Sequence, residues 1–414
     1  MIIDPASNFH LQQADIHIKD GVIAAIGLPL DEVPGCTEMR LPHLCVSPGW
    51  TDIFAHLCDP GFEYKETLQT GAAAAAAGGF TDVFSLPNTA PPVQDRASVA
   101  YIVQGSARLP VNVHPIGAVT KNLEGKELAE MYDMYHNGAL AFSDGTAAIQ
   151  SAGILLKALQ YIKAIDGVLI QVPEDKSISA HGLMNESKIS TQMGLAGKPA
   201  IAEELMISRD IKLVKYTGSK LHITGISTAK SLELIRNAKA AGANITCSVT
   251  PHHLFFTDED LQGYDTNLKV TPPFRSAADR DALRKGVLDG TIDCIASHHQ
   301  PHERDSKVVE FEYARNGITS LETAFGVVRT AVPEITAGQI VGLLTLNPRR
   351  IFGMPQAAIT EGSPASLSLF SMEDSWTVNP EKLHSKSVNT PFGGATLKGK
   401  VYGIINKGQI IINQ

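Results

Sequence analysis

Short apolar runs alternate with helical stretches through the middle of the chain. Eight of these runs predict β-strands, over residues 45–54, 80–87, 112–119, 139–144, 168–173, 220–226, 244–249 and 293–297. Residues 228–242 predict a helix that begins after a Thr228 cap and ends at Gly242. Strands that alternate with helices indicate a parallel sheet, and eight strands is the number that closes a TIM (β/α)8 barrel. The pattern therefore predicts an α/β fold with such a barrel.

The two ends of the chain follow a different pattern. Apolar and polar residues alternate near the start, at Ala14, Ile16 and Ile18, and again in 366–370 and 398–414, where glycines mark turns. This alternation is typical of antiparallel strands. We therefore expect a small flanking β-sandwich domain formed by both termini, from residues 1–44 and 354–414, around a barrel over residues 45–353.

Composition narrows the classes of function. The 414 residues carry a formal net charge of -8 without a cluster of Lys and Arg, so we expect no nucleic-acid partner. No apolar run is long enough to span a membrane and the N-terminus does not resemble a signal peptide, so we expect a cytoplasmic protein without membrane contact. The five cysteines are scattered, which predicts reduced thiols and excludes a zinc ribbon: Cys36, Cys45, Cys58, Cys247 and Cys294.

Polar residues with chemical potential follow the predicted strands, at the end where barrel enzymes place their active sites. In the first strand, Asp52–His56 looks like an Asp-x-His-x-His pattern, which would put two imidazoles on one side of the strand as half of a metal site. The first of these two positions is Phe54. The pattern thus leaves open whether the chain is a metal enzyme with one substitution or a protein that has lost its metal.

Longer sequence strings show which family the chain resembles. They are HLCDPGFEYKET (56–67), GGFTDVFSLPNTAPP (78–92), AFSDG (141–145), TPHHL (250–254), LKVTPPFR (268–275), ASHHQPHE (296–303) and NGITSLETAF (316–325). In these strings the chain resembles a dihydroorotase of the amidohydrolase superfamily. The resemblance implies a barrel flanked by a β-sandwich. It also implies zinc-dependent, reversible closure of carbamoyl aspartate to dihydroorotate, in which an Asp on the eighth strand carries the proton.

The chain departs from this family at the positions that the resemblance assigns to the metal, which read Phe54, His56, Gly145, Val172, Gly225 and His298. Phe and Val offer no lone pair to a metal, and Gly offers no side chain. The set therefore falls short of the three protein ligands usual for catalytic zinc. His298 also replaces the proton-carrying Asp. We accordingly expect no catalytic residue and no cofactor.

Other departures affect the substrate pocket. Cys58 stands where the family has an Arg that would bind the substrate carboxylate, and Thr271 stands for an Asn. The candidate pocket residues are His56, Cys58, Asn88, Thr271 and His302. Each has a plainer interpretation: His56 as a hydrogen-bonded barrel histidine, Asn88 as a turn residue.

The remaining polar residues near the strand ends also allow two interpretations. His298, His299 and His302 form either a polar cap or a weak metal site. His222 is expected to orient its neighbours, and the pair His252 and His253 to support a loop. Glu174 and Asp175 are expected to be solvated or to cap a loop.

The sequence therefore predicts a dihydroorotase-like protein of pyrimidine biosynthesis that is catalytically inactive. The resemblance implies a role as a structural partner of aspartate transcarbamoylase, and we also expect a homo-oligomer. The alternative is an active amidohydrolase that hydrolyses the same cyclic amide with a rebuilt one-metal or metal-free site.

Overall fold

The computed structural model describes residues 1–31 and 34–413. The strands are β1 (Asp15–Lys19), β2 (Val22–Gly27), β3 (Cys45–Pro48), β4 (Trp50–Ala55), β5 (Phe80–Ser85), β6 (Asn112–Gly117), β7 (Ala141–Phe142), β8 (Val168–Gln171), β9 (Met184–Asn185), β10 (Gly197–Lys198), β11 (Lys220–Thr224), β12 (Ile245–Val249), β13 (Cys294–Ile295), β14 (Leu367–Thr377), β15 (Thr396–Asn406) and β16 (Gln409–Ile412). The α-helices are α1 (Leu68–Ala77), α2 (Arg96–Gly105), α3 (Met131–His136), α4 (Ala152–Ile162), α5 (Lys176–Ser179), α6 (Lys188–Met193), α7 (Ile201–Thr217), α8 (Ala229–Ala240), α9 (Ala277–Leu288), α10 (Ala324–Ala331), α11 (Ala337–Val341) and α12 (Asn347–Ile351).

Eight parallel strands form the barrel, in the order β4, β5, β6, β7, β8, β11, β12 and β13. The first and last strands meet where Ala55 bridges His299 and the His56 amide donates to the His299 carbonyl at 2.8 Å. The predicted barrel is therefore confirmed. An apolar cluster of inward-facing side chains fills its interior, so the barrel is a packed core rather than a channel.

The first predicted strand, 45–54, is in fact two strands. β3 pairs with β14 outside the barrel, and β4 begins the barrel at Trp50. Gly49 lies between them, where a Cβ atom would fall 2.1 Å from the Thr81 hydroxyl. Only a glycine fits this close approach. At this residue the chain leaves the terminal sheet and enters the barrel.

Both ends of the chain build antiparallel sheet, as predicted. One sheet has the order β16, β15, β14 and β3, and β1 pairs with β2 in a separate hairpin. Trp50 connects the four-stranded sheet to the barrel, because its ring lies 5.0 Å from that of Phe325 and 5.1 Å from that of Phe370. Aromatic packing of this kind fixes the position of one layer on the other.

The helix predicted over residues 228–242 is present as α8. Thr228 caps α8 by accepting a hydrogen bond from the Ser231 amide at 3.0 Å, and Gly242 follows the helix in a left-handed conformation. The alanine run forms most of α1, whose small side chains are buried against the barrel. Across residues 1–31 and 34–413, no helix is both long and apolar enough to cross a membrane.

Candidate functional site

The site predicted from the sequence lies at the carboxyl ends of the barrel strands, which we call the barrel mouth. Its centre is a stacked pair of rings from the first and eighth strands. Phe54 and His298 lie with ring centroids 4.5 Å apart and planes inclined by 33°; Phe54 is buried and His298 is partly buried. Phe54 belongs to the apolar cluster inside the barrel, together with Val172. Two of the positions that the resemblance assigns to the metal are therefore part of the hydrophobic core.

A chain of buried hydrogen bonds continues from this pair across three strands. Thr224 on β11 contacts His298 Nε2 at 2.7 Å and accepts from the Ser248 hydroxyl at 2.8 Å. His222 contacts Ser248 through Nε2 at 3.0 Å and Thr246 through Nδ1 at 2.9 Å. Both ring nitrogens of His222 are thus engaged, in agreement with an orienting role.

Burial keeps these two imidazoles neutral. Burial, together with the neighbouring His253 and His222, lowers the pKa of His298 to about 3. Burial likewise lowers the pKa of His222 to about 3. A low-dielectric site disfavours the charged imidazolium. Both side chains act as neutral hydrogen-bonding groups at pH 7.

Glycines occupy two further positions of the family's ligand set, and each is closely packed. A Cβ at Gly225, where φ is +70°, would lie 2.7 Å from His298 Cε1. A Cβ at Gly145, where φ is +62°, would lie 1.7 Å from the Asn88 side-chain oxygen. Asn88 holds this place because its amide donates to the Asp144 carbonyl at 3.2 Å. Neighbouring side chains therefore fill the space that ligands at these positions would need.

The carboxylate of Asp144 caps a loop. It accepts hydrogen bonds from the amides of Val119 and Thr120, at 3.0 and 2.9 Å, and from the Thr120 hydroxyl at 2.5 Å. Burial raises its pKa, and these hydrogen bonds oppose that rise. Three donors leave this carboxylate committed to the backbone of the loop after β6.

The candidate pocket residues are held by different neighbours. His56 donates through Nε2 to the Asn88 carbonyl at 2.9 Å, and burial lowers its pKa to about 4. Cys58 is buried in a left-handed conformation with φ of +63°, and burial raises the pKa of its thiol. His302 donates through Nε2 to the Asn316 carbonyl at 2.9 Å, and burial lowers its pKa to about 4. Thr271 lies apart from these three, 3.4 Å from the Lys198 ammonium.

The remaining histidines of the motifs belong to the framework. His253 contacts the Thr250 hydroxyl at 2.7 Å and the Pro272 carbonyl at 3.1 Å, which fixes the loop after β12. His299 turns away from His298 and lies 3.4 Å from the buried carboxylate of Glu66. The three histidines after the eighth strand therefore do not form one cluster.

The structure adds a charged cleft that the sequence did not reveal. The Lys198 ammonium contacts the Glu174 carboxylate at 2.5 Å, and the Arg275 guanidinium donates to the Asn185 side chain at 2.9 Å. The cleft has a cavity volume of about 10 Å³, which is room for about one water molecule. Glu174 is thus paired rather than solvated, whereas Asp175 caps α5 as expected.

Comparison with known proteins shows the family. The family model described as dihydro-orotase-like matches residues 44–231. A protein of Pelotomaculum thermopropionicum named dihydroorotase is 44% identical over 99% of this chain and 96% of its own length. One of Syntrophus aciditrophicus with the same name is 40% identical over 100% of this chain and 98% of its own length. The chain belongs to the dihydroorotase family.

Solved structures agree with the fold of this dihydroorotase-family protein. The L-hydantoinase (dihydropyrimidinase) of Arthrobacter aurescens superposes with a TM-score of 0.87 and 25% identity, over 100% of this chain and 94% of the hydantoinase. The dihydropyrimidinase of Brevibacillus agri superposes with a TM-score of 0.84 and 20% identity, over 100% of this chain and 93% of its own. The amidohydrolase barrel with a terminal β-domain is thereby confirmed.

Family membership corrects one prediction. The sequence led us to expect no cofactor, but the dihydroorotase and hydantoinase relatives point toward a metal cofactor, so that expectation is wrong. The side chains give no ligand set for such an ion: within the described ranges, no three His, Cys, Asp or Glu residues are grouped so that they could hold a metal. We therefore derive no chemical step through a metal.

Proposed function

We propose that this dihydroorotase-family protein does not hydrolyse dihydroorotate and acts in pyrimidine biosynthesis as a structural partner of aspartate transcarbamoylase. The stacked pair of Phe54 and His298 carries the first half of this proposal. These rings fill the centre of the barrel mouth, where the family places its reacting groups. A substrate ring would have to displace the buried Phe54 ring and the partly buried His298 ring to reach the strand ends.

The acid–base groups at the mouth support the same conclusion. Efficient proton transfer at pH 7 needs a group whose pKa lies near 7. Burial lowers the pKa of His56 and of His302 to about 4 and that of His298 to about 3. Such imidazoles are neutral and weakly basic at pH 7. We therefore expect none of these imidazoles to be charged at the pH of the reaction.

The packing around the glycines makes the loss of function difficult to reverse. A side chain at Gly225 would collide with His298, and one at Gly145 would collide with Asn88. Each ligand position can be refilled only if a second residue changes as well. We expect Phe54→His alone to give no turnover, because groups that act as a unit are strongly non-additive.

Exposed apolar side chains near the mouth support a protein partner. Val308 is 68% exposed and Tyr313 is 70% exposed, on one loop after the eighth strand. Aromatic and apolar side chains are enriched in the buried centres of protein interfaces. The identity of the partner rests on the resemblance to inactive dihydroorotase-like subunits.

A direct assay tests the catalytic half of the proposal. The purified protein, supplied with zinc, is compared in dihydroorotate hydrolysis with the Pelotomaculum thermopropionicum relative at equal concentration. We expect the relative to turn over and this protein to match the buffer blank. Zinc-dependent turnover that His56→Ala abolishes, and that the exposed-site variant His136→Ala preserves, would overturn the proposal.

An active cyclic amide hydrolase is the second candidate, and one observation favours it. Relatives that share 40–44% identity across nearly the whole chain carry the name dihydroorotase. In that case His56, Asn88 and His302 would contact the substrate after the stacked rings move apart. The assay above separates the two candidates, since only the second gives turnover.

Co-purification tests the partner. The protein and the aspartate transcarbamoylase of the same organism are mixed at micromolar concentration and sedimented together. We expect one complex, with at least about 1,000 Å² buried in each contact, as specific interfaces have. If the two proteins sediment independently, the partnership is wrong, whatever the result of the assay.

A further inference from the structure

The last strand of the terminal sheet has an uncovered edge. β16 pairs with β15 on one side only, and it ends the order β16, β15, β14 and β3. The opposite edge of that sheet is covered, because the Val46 amide donates to the Met1 carbonyl at 2.9 Å and the Ile3 amide donates to the Val46 carbonyl at 2.8 Å. Within the described residues, this sheet therefore offers one edge for a further strand.

The register shows which backbone groups point outward. The Asn413 amide donates to the Tyr402 carbonyl at 2.8 Å, so these two residues form a hydrogen-bonded pair. Hydrogen-bonded and non-bonded pairs alternate along an antiparallel ladder. Ile412 opposite Gly403, and Ile410 opposite Ile405, are therefore the non-bonded pairs. The N–H and C=O groups of Ile410 and Ile412 therefore point away from β15.

The same two residues expose their side chains. Ile410 is 59% exposed and Ile412 is 40% exposed, whereas Ile411 faces the other way and packs against the core. No charged residue lies between 409 and 413. Natural sheet edges are usually protected by charges or by cover, as on β1, which carries Asp15 and Lys19. Along the sequence, the charged side chain next to this segment is Lys407, whose ammonium donates to the Ala107 carbonyl.

We infer that β16 pairs antiparallel with β16 of a second copy of this chain, across a two-fold axis at Ile411. In this register Ile410 of each copy lies opposite Ile412 of the other. Every outward N–H then meets an outward C=O, which gives four hydrogen bonds, and the exposed isoleucines form cross-strand pairs. The strand is thus complementary to itself, and its lack of charge removes repulsion between the copies.

The single free edge also limits the size of the assembly. A contact that uses the same strand on both copies is isologous and closes at two. An open chain of copies would require a second free edge in this sheet, and Met1–Ile3 covers that edge. The result is a dimer with one continuous eight-stranded terminal sheet. The barrel mouth takes no part in this contact.

Sedimentation of the full chain tests this dimer. We expect the wild-type protein to sediment as two 44.3 kDa chains at micromolar concentration. Ile412→Pro removes an outward N–H and leaves the bonds to β15 intact, because proline is tolerated on a strand's free edge. Two hydrogen bonds are lost per dimer, so Kd should rise by about tenfold or more. Ile412→Val keeps the N–H and should leave Kd unchanged.

Hydrogen exchange gives a second readout that does not depend on a variant. The amides of Ile410 and Ile412 should exchange slowly when the protein is concentrated and quickly when it is dilute, while the Ile411 amide stays protected at both concentrations. If the Ile412→Pro variant unfolds, the Kd of the Ile410→Lys variant is measured in its place. A wild-type monomer, a wild-type assembly larger than a dimer, or an Ile412→Pro dimer of unchanged Kd would each overturn the inference.

Discussion

At the scale of single residues, packed side chains occupy the positions that the family resemblance assigns to the metal. Phe54 and Val172 lie in the hydrophobic core of the barrel, and His298 uses its imidazole for a hydrogen bond to Thr224. Gly225, like Gly145, combines a left-handed conformation with a close contact. The substitutions are therefore part of a packed arrangement, and each constrains its neighbours.

Gly225→Ala tests that constraint. We expect it to lower the free energy of unfolding by about 2–4 kcal/mol, from the left-handed conformation and from overpacking against His298. Gly242→Ala is the matched control, because Gly242 has φ of +76° and nothing within 4 Å of the added atom. It should cost only about 1–2 kcal/mol. Denaturant unfolding measures both.

The contact itself is tested by a double-mutant cycle. In a His298→Ala background, the cost of Gly225→Ala should fall toward that of the Gly242 control, because the colliding ring is gone. Equal costs for the two glycine variants in the wild-type background would show that His298 does not confine this position.

Sequence patterns show such residues but not their surroundings. The expectation that Phe54, Val172 and Gly225 stand at ligand positions comes from the motif strings alone. The stack of Phe54 on His298 could not be predicted from these strings, because it depends on how two strands at opposite ends of the barrel sequence close against each other. The same holds for the pairing of Lys198 on β10 with Glu174 in the loop after β8, because these residues are 24 positions apart in the sequence.

At the scale of elements, periodicity predicted nearly every strand of the barrel because buried strands are apolar and bounded by turn residues. The same pattern predicted β3 and β4 as one strand. Both strands are fully buried, so the apolar run continues through the change of sheet at Gly49. Loops at the barrel mouth are held by buried histidines, of which His253 in the loop after β12 is the clearest example.

The His253 loop should make the protein sensitive to mild acid. Burial lowers the pKa of His253 to about 4, below its unfolded value near 6.5. The unfolded state therefore binds the extra proton, and the stability present above pH 6.5 is lost as the pH falls toward 4. Between pH 6.5 and 5 this loss is about 2 kcal/mol.

The measurement is denaturant unfolding at several pH values. His253→Gln should flatten the dependence of the free energy of unfolding on pH in this range, and the exposed control His136→Gln should leave it unchanged. Identical slopes for the wild type and the His253 variant would contradict the assignment.

The cap of α8 gives a second prediction at this scale. Thr228→Ala removes the oxygen that accepts from the Ser231 amide, so the free energy of unfolding should fall by about 1 kcal/mol. Thr228→Ser keeps the oxygen and should cost much less. Thermal or denaturant unfolding of the two variants distinguishes the cap from simple loss of packing, since both remove the same methyl group.

At the scale of the whole molecule, the barrel and terminal sheet keep the architecture of the dihydroorotase family while the centre of the mouth is filled. The scaffold strings survive because they make the fold: the alanine-rich α1 packs against the barrel, and Trp50 connects the terminal sheet to it. A protein that keeps the fold and fills the reaction centre can still present surfaces to other chains.

The most direct test of this account is the rate of dihydroorotate hydrolysis by the purified protein supplied with zinc. The relative from Pelotomaculum thermopropionicum that is named dihydroorotase is measured beside it. The account predicts a rate equal to the buffer blank for the wild type, for His56→Ala and for Phe54→His. A rate above the blank that disappears in His56→Ala and persists in His136→Ala would show that the filled barrel mouth opens to a working active site, and would contradict it.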